Sequence, residues 1–116
     1  MKRFMLKSKL HGAVVKKANL DYEGSITIDR ELAELADMLQ GEKVQVLDVN
    51  NGVRFETYVI YGEKGQVELN GAAARLVYPG DKLLILSYAL YDEDELKNYR
   101  PRIIILNEKN EVEKIL

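Results

Sequence analysis

Short segments in which apolar and polar residues alternate recur along most of this 116-residue chain, and they leave few folds open to it. The clearest pair, "KVQVLDV" and "VRFETYVIY", flanks the turn sequence "NNG" and predicts a β-hairpin from Val44 to Tyr61. Two strands are expected before residue 21, on either side of a turn at Gly12. Further strands are expected at "SITID", "QVEL", "DKLLILSYAL" and "RPRIIIL". Many short strands in so small a chain favour a closed or nearly closed β-barrel, formed as a single domain over residues 1–116.

One segment has the periodicity of an α-helix. Its apolar positions recur at helical spacing: Leu32, Leu35, Ala36 and Leu39. Asp29 is placed to cap the start of this helix, and Gly41 lies where a left-handed residue commonly ends one. The run of alanines from residue 72 favours only a short second helical turn, which Pro79 would stop. The segment "DEDELKNY" is polar and expected to be exposed.

Composition limits the chemistry that such a barrel could perform. The chain has 17 Lys and Arg against 19 Asp and Glu, so no basic surface for nucleic acid is expected. It has no Cys and one His, which excludes disulfides, Cys nucleophiles and Cys-based zinc sites, and we expect no metal. Lysines interrupt every apolar run near the N-terminus, and no stretch reaches the roughly 20 apolar residues of a membrane span. We therefore expect a cytoplasmic protein with no membrane partner.

The dipeptide Gly24-Ser25, in "DYEGSITID", is typical of a turn when taken alone. The same chain also contains "KLH" at 9–11, "NGVRFETY" at 51–58 and "NGAAA" at 70–74. Together, in this order and with these spacings, the four segments resemble the pyruvoyl-dependent L-aspartate α-decarboxylases. The resemblance extends from Met5 to about Pro101, which is nearly the whole chain.

This resemblance implies a mainly β fold, a small double-psi β-barrel with one clear α-helix and a short second helical turn. It implies a lyase that cuts its own chain between Gly24 and Ser25, giving fragments 1–24 and 25–116. Ser25 then becomes a covalently bound pyruvoyl group, without a metal or pyridoxal phosphate. L-Aspartate forms a Schiff base with this group and leaves as β-alanine and CO2, supplying pantothenate biosynthesis. The family assembles as a homotetramer with active sites between subunits, and the need for an activating protein stays open.

The residue types suit that chemistry. The Ser25 Oγ lies one residue from the Gly24 carbonyl carbon, and glycine offers no Cβ to obstruct the attack or the strained backbone that it needs. The amide becomes an ester, elimination leaves dehydroalanine, and hydrolysis releases ammonia and leaves a ketone. That ketone is an electron sink made from the chain itself, which fits the lack of a binding motif for an external cofactor.

The resemblance also assigns the remaining roles. Tyr58 returns a proton to the substrate, and Arg54 binds a carboxylate. Thr57 hydrogen-bonds near the Gly24 carbonyl during cleavage and also lies near the substrate. The other substrate-binding candidates are Lys9, Asn70, Gly71, Ala72 and Ala73, of which the last four could form an anion site at a helical turn. His11 and Tyr22 are weaker candidates.

Each of these residues also has a structural interpretation. Tyr58 alone would be more typical of a cross-strand aromatic pair, Arg54 of a surface ion pair, and His11 of a structural residue. Strict strand alternation places Arg54 and Tyr58 on one face and Thr57 on the other, so a bulge or a site at a strand end would be needed. Two alternatives remain: a small β-barrel binding or regulatory module, and a relative that does not cleave.

Overall fold

The structure is a computed structural model that describes all residues, 1–116. It is mainly β. The strands are β1 (Arg3–Val14), β2 (Lys17–Asn19), β3 (Ser25–Asp29), β4 (Lys43–Asp48), β5 (Arg54–Gly62), β6 (Val67–Asn70), β7 (Lys82–Tyr91), β8 (Arg102–Leu106) and β9 (Val112–Ile115). The helices are α1 (Arg30–Leu35), a 3-10 helix termed η1 (Gly71–Leu76) and α2 (Glu93–Leu96). These elements confirm the predicted mainly β fold.

The strands form one hydrogen-bonded series in the order β2-β6-β3-β5-β4-β7-β1-β8-β9. β1 and β2 are adjacent in the chain, yet they lie at well-separated positions in this series. The two residues between them bond to both regions, because the Val15 N–H donates to the Asp81 carbonyl and the Lys16 N–H to the Val67 carbonyl. The sheet must therefore curve strongly, so that β6 approaches the start of β7.

The predicted hairpin from Val44 to Tyr61 is confirmed as β4 and β5, which pair antiparallel with Val46 opposite Phe55. Alternate residues of these strands point into a core of 20 buried apolar side chains. Among them, Val44, Val46 and Val59 are at most 1% exposed. The alternation seen in the sequence thus separates a packed inner face from an outer face.

The prediction of a turn at Gly12 is wrong. β1 runs through this residue, which has a φ of +90°, and the pairing with β7 shifts register between His11 and Ala13. Gly12 therefore lies in a β-bulge, where a left-handed glycine lets the strand continue with one extra residue.

α1 begins as predicted but ends earlier. The Asp29 carboxylate accepts hydrogen bonds from the backbone N–H groups of Glu31 and Leu32. The helix ends at Leu35 because Asp37 adopts a φ of +56°, and the Met38 N–H donates to the Ala33 carbonyl in a Schellman arrangement. The role predicted for Gly41 as the residue that ends this helix is wrong.

The short second helical turn is confirmed as η1. The helix α2, by contrast, lies in the segment that was predicted only to be polar and exposed. Its signal was present in the sequence, since Asp92 and Glu95 form a capping box in which each side chain accepts a bond from the other residue's backbone N–H. None of the helices has the length and hydropathy needed to cross a bilayer.

Candidate active site

Ser25 is the first residue of β3 and is fully buried, whereas Gly24 before it is exposed. The Ser25 hydroxyl donates to the Glu23 carbonyl over 3.2 Å. Its Oγ also accepts a hydrogen bond of 2.9 Å from the Asn70 side-chain Nδ2. Because Ser25 and Asn70 are paired across β3 and β6, strand pairing itself brings these two predicted residues together.

The Asn70 side chain bonds to Ser25 and does not cap the helix that follows it. Its Nδ2 donates a second hydrogen bond of 2.9 Å to Thr27 Oγ1, and its side chain makes no capping bond to η1. Thr27 was missed by the sequence-based prediction. The available signal was its spacing, since residues two apart in a strand point to the same face and Ser25 was already a candidate.

Gly71 packs directly against the predicted cleavage segment. Its φ is +67°, and a Cβ at this position would lie 2.7 Å from Gly24 Cα, 2.8 Å from Gly24 N and 3.0 Å from the Tyr22 carbonyl oxygen. Gly24 itself has neither a left-handed φ nor any neighbour within 4 Å of an added Cβ. The expected backbone strain at Gly24 is therefore not seen. The position at which the fold requires a residue without a side chain is Gly71.

Tyr58 lies on β5, the strand that pairs with the strand of Ser25. In the parallel pairing of β3 and β5, Ile26 is opposite Val59 and both point into the core. Ser25 and Tyr58 precede this pair on their respective strands, so both side chains point to the opposite face. Tyr58 is 39% exposed, which leaves its ring open to a substrate.

Thr57 points away from that face. It is opposite Val44, a core residue, and the pairing of β4 with β5 continues without a bulge from Lys43 to Leu47. The bulge that would bring Thr57 to the face of Tyr58 is therefore absent. Of the two arrangements considered, this leaves a site at the start of β3 that contacts both faces of β5. In this structure Thr27, and not Thr57, bonds to the Asn70 amide.

Arg54 and His11 lie in one row on the outer face of the sheet. His11 is paired with Leu84, Leu84 with Leu47, and Leu47 with Arg54. Side chains of directly paired residues point to the same face, and three strand spacings separate the ends of this row by about 14 Å. Arg54 also lies four residues from Tyr58, or about 13 Å along β5.

Lys9 lies in the neighbouring row of the same outer face, through Leu86 and Gln45 to Glu56. Its strand β1 is four positions from β3 in the series. Burial, followed by the positive charges of Lys9 and Lys82, lowers the pKa of His11. This face therefore carries several cationic groups, and the single chain does not bring Lys9 to Ser25.

A cleft of about 600 Å³ adjoins the Ser25 cluster. Tyr22, Thr27 and Asn70 line one part of it. Arg30 and Tyr61 line another, with the Arg30 guanidinium carbon 5.2 Å from the centre of the Tyr61 ring. The predicted residue Tyr22 is thus close to the Ser25 cluster.

The remaining predicted residues lie in the first turn of η1. Ala72 is exposed and Ala73 is half-buried against the core. No group of three or more His, Cys, Asp or Glu side chains is arranged to hold a metal ion.

Comparison with known proteins gives a consistent result. Residues 1–113 match the family model described as aspartate decarboxylase. An aspartate 1-decarboxylase of Thermoanaerobacter pseudethanolicus is 58% identical over 112 residues, covering 95% of this chain and 96% of the relative. The aspartate 1-decarboxylase of Wolinella succinogenes is 57% identical, covering 99% and 97%. That of Sulfurimonas denitrificans is 54% identical, covering 97% and 94%.

Proposed function

Because this chain belongs to the aspartate decarboxylase family and is a decarboxylase, we propose that it converts L-aspartate to β-alanine and CO2 by means of a pyruvoyl group formed from its own Ser25. Family membership sets aside the alternative of a binding or regulatory module. The observation that carries the proposal is the position of Ser25, which is fully buried at the start of β3 with its Oγ bonded to the Asn70 amide.

In the proposed processing, the Ser25 Oγ attacks the Gly24 carbonyl carbon, and cleavage yields fragments 1–24 and 25–116. The Ser25 hydroxyl already directs its proton toward the Glu23 carbonyl. The Asn70 N–H donates to Oγ and holds it in place, while the negative charge that develops during attack falls on the Gly24 carbonyl oxygen and needs a separate donor. Close packing of Gly71 on Gly24 limits the positions open to the attacked residue.

The residues around Ser25 fit a small, uncharged group. The position is closed to solvent, and its polar neighbours are an amide N–H and a backbone carbonyl. A pyruvoyl group there supplies a ketone that binds the substrate amine and takes up the electrons released with CO2. Asn70 would hold it from the β6 side, and no pyridoxal phosphate or metal is required.

Tyr58 is proposed to return the proton to the substrate. Its side chain points to the same face as Ser25 from the neighbouring strand, and a phenol O–H can protonate a strongly basic carbanion. Arg54, farther along the same face of β5, is proposed to bind a carboxylate with two parallel hydrogen bonds. Thr57 retains its proposed role near the Gly24 carbonyl, which requires contact at the start of β3.

We infer that the complete site lies between subunits of a homotetramer. The support is the curvature of the sheet: Lys9 and Ser25 point outward from strands that are four positions apart, so they diverge within one chain. The outer face that carries Lys9 also has the partly buried Leu84 and the 8%-exposed Leu86, which lies outside the core cluster. A second subunit packed on this face would bring its Ser25 to Lys9 and His11.

The substrate-binding roles of Asn70, Gly71, Ala72 and Ala73 follow the family resemblance, as do a role in pantothenate biosynthesis and a cytoplasmic location. Asn70 has the strongest support among them because it contacts Ser25 directly. For Gly71, the packing against Gly24 supports a role in placing the cleavage segment in addition to any contact with substrate.

A decarboxylation assay with L-aspartate tests the proposed function. The chain should release β-alanine and CO2 in equal amounts, and Ser25→Ala should release neither. Ser8→Ala is the matched control, since Ser8 is equally buried but is bonded to Ser87, away from the cleavage segment. Turnover by Ser25→Ala, or equal loss of activity in a folded Ser8→Ala, would contradict the proposal.

A further inference from the structure

We propose that Thr27 is a positioning residue for self-cleavage, which holds the Asn70 amide so that its N–H faces the Ser25 Oγ. This inference deepens the proposed processing of Ser25 and rests on it. The Asn70 Nδ2 lies 2.9 Å from both Ser25 Oγ and Thr27 Oγ1. Ser25, Thr27 and Asn70 are 0%, 8% and 2% exposed, so water has little access to replace either bond.

Packing fixes the direction of the Thr27 hydroxyl. The Thr27 methyl group occupies space beside Gly62 on β5, where an added Cβ would lie only 2.5 Å from Thr27 Cγ2. A β-branched side chain has few allowed χ1 rotamers, so placing its methyl also places its hydroxyl. Gly62 therefore leaves the space that this Thr27 rotamer needs, and in this rotamer the Thr27 hydroxyl accepts from Asn70.

The orientation of this amide matters because its two ends have opposite hydrogen-bonding roles. With Nδ2 toward Ser25, the Oγ accepts a bond and its own proton points to the Glu23 carbonyl. With the amide reversed, Asn70 Oδ1 would face Oγ and compete for that proton. A donor is the favourable partner here, because it uses one Oγ lone pair to hold the oxygen in place and leaves the other lone pair free for the Gly24 carbonyl carbon.

The step that this arrangement assists is an acyl shift from nitrogen to oxygen. A bond forms between Ser25 Oγ and the Gly24 carbonyl carbon, and the amide bond between that carbon and the Ser25 nitrogen breaks. The hydroxyl proton ends on the Ser25 nitrogen, so the step needs no other reactant. The Thr27 hydroxyl bonds to Asn70 and not to any of these atoms, so Thr27 acts through Asn70 as a positioning residue.

The first test measures how fast the 25–116 fragment appears from freshly purified, uncut protein. Thr27→Val keeps the shape but removes the hydroxyl, and we expect about tenfold slower cleavage, as for loss of one hydrogen bond. Thr27→Ser keeps the hydroxyl and should remain within about threefold of the parent chain. Ile28→Val, on the core face of the same strand, controls for mild destabilisation and should cleave at the parent rate.

The second test observes Asn70 without cleavage, in chains that also carry Ser25→Ala. Hydrogen exchange of the Asn70 side-chain amide, followed by NMR, should be at least about tenfold faster with Thr27→Val than with Thr27→Ser. Equal exchange rates, or a parent chain that cleaves but no faster than Thr27→Val, would overturn the inference alone. A parent chain that never cleaves would instead contradict spontaneous processing at Ser25, and the role of Thr27 in it.

Discussion

Replacing Gly71 with alanine tests the contact that holds the cleavage segment in place. The new Cβ would lie 2.7 Å and 2.8 Å from backbone atoms of Gly24, and 3.0 Å from the Tyr22 carbonyl oxygen. All three are backbone atoms, so no side chain can rotate to relieve the overlap. The segment from Tyr22 to Gly24 must therefore shift away from Gly71, which changes the path of Ser25 Oγ to the Gly24 carbonyl.

Two effects set the size of the destabilisation. An alanine forced into the left-handed region costs about 1–2 kcal/mol. Overpacking against fixed neighbours adds about 1–3 kcal/mol, giving a total of about 2–5 kcal/mol in the free energy of unfolding. Gly52→Ala is the matched control, because Gly52 has a similar φ of +77° but nothing within 4 Å of an added Cβ. Only the first effect applies to it.

Both substitutions are compared by urea unfolding in chains that also carry Ser25→Ala, so that cleavage does not alter the result. Their effect on processing is then measured with Ser25 present, from the rate at which fragment 25–116 appears. Gly71→Ala should slow cleavage by at least about tenfold, because small displacements of reacting groups have large effects on rate, whereas Gly52→Ala should not. Equal stabilities and equal cleavage rates for the two variants would refute the reasoning.

Three further predictions concern other parts of the molecule. Burial and the neighbouring Asp81 raise the pKa of Asp48, whose Oδ2 has no hydrogen-bond partner. The folded state therefore favours the protonated carboxyl. The contribution of this protonation to the free energy of unfolding is lost as pH rises through the folded-state pKa. Asp48→Asn, measured by urea unfolding with Ser25→Ala, should therefore be about 1–2 kcal/mol more stable than its parent at pH 7. This advantage should shrink as pH falls through the folded-state pKa and be gone by about pH 4, the ordinary pKa of an aspartate; an equal gain at pH 7 and at about pH 4 would contradict this. Tyr58→Phe should cleave normally, but its kcat with aspartate should fall by at least about 100-fold. Loss of cleavage instead would assign Tyr58 a different role. Lys9→Ala and Ser25→Ala should each be inactive alone. If the two residues act from different subunits, co-expression of the two variants should restore up to about a quarter of the parent activity, because about one site in four then has both residues intact. No recovery in mixed oligomers would place the two residues in the same chain.

Alternating apolar residues were sufficient to predict the β4–β5 hairpin, because one face of each strand is buried in a common core. The cap of α1 was likewise predictable, since an Asp before a helical pattern has a strong local preference for that position. The early end of α1 was not, because it depends on Asp37 adopting a left-handed conformation that asparagine and glycine more often take. The bulge at Gly12 likewise depends on its pairing with β7, a strand distant in sequence.

The candidate site shows the same division between local and long-range information. The sequence motifs identified Ser25, Tyr58 and Asn70, and strand register accounts for their proximity. The contact of Gly71 with Gly24 joins residues far apart in the chain, and no local pattern encodes it. Thr27 was missed for a related reason: only the folded sheet shows that one amide group reaches both it and Ser25.

Intact-mass spectrometry of the purified protein tests the central claim most directly. After prolonged warm incubation, the chain should be present as a fragment ending at Gly24 and a fragment beginning at residue 25. The second fragment should be lighter by one ammonia than a fragment that begins with serine, as expected for a pyruvoyl group. A chain that remains at full length, or a 25–116 fragment with the unmodified serine mass, would contradict spontaneous formation of the pyruvoyl group.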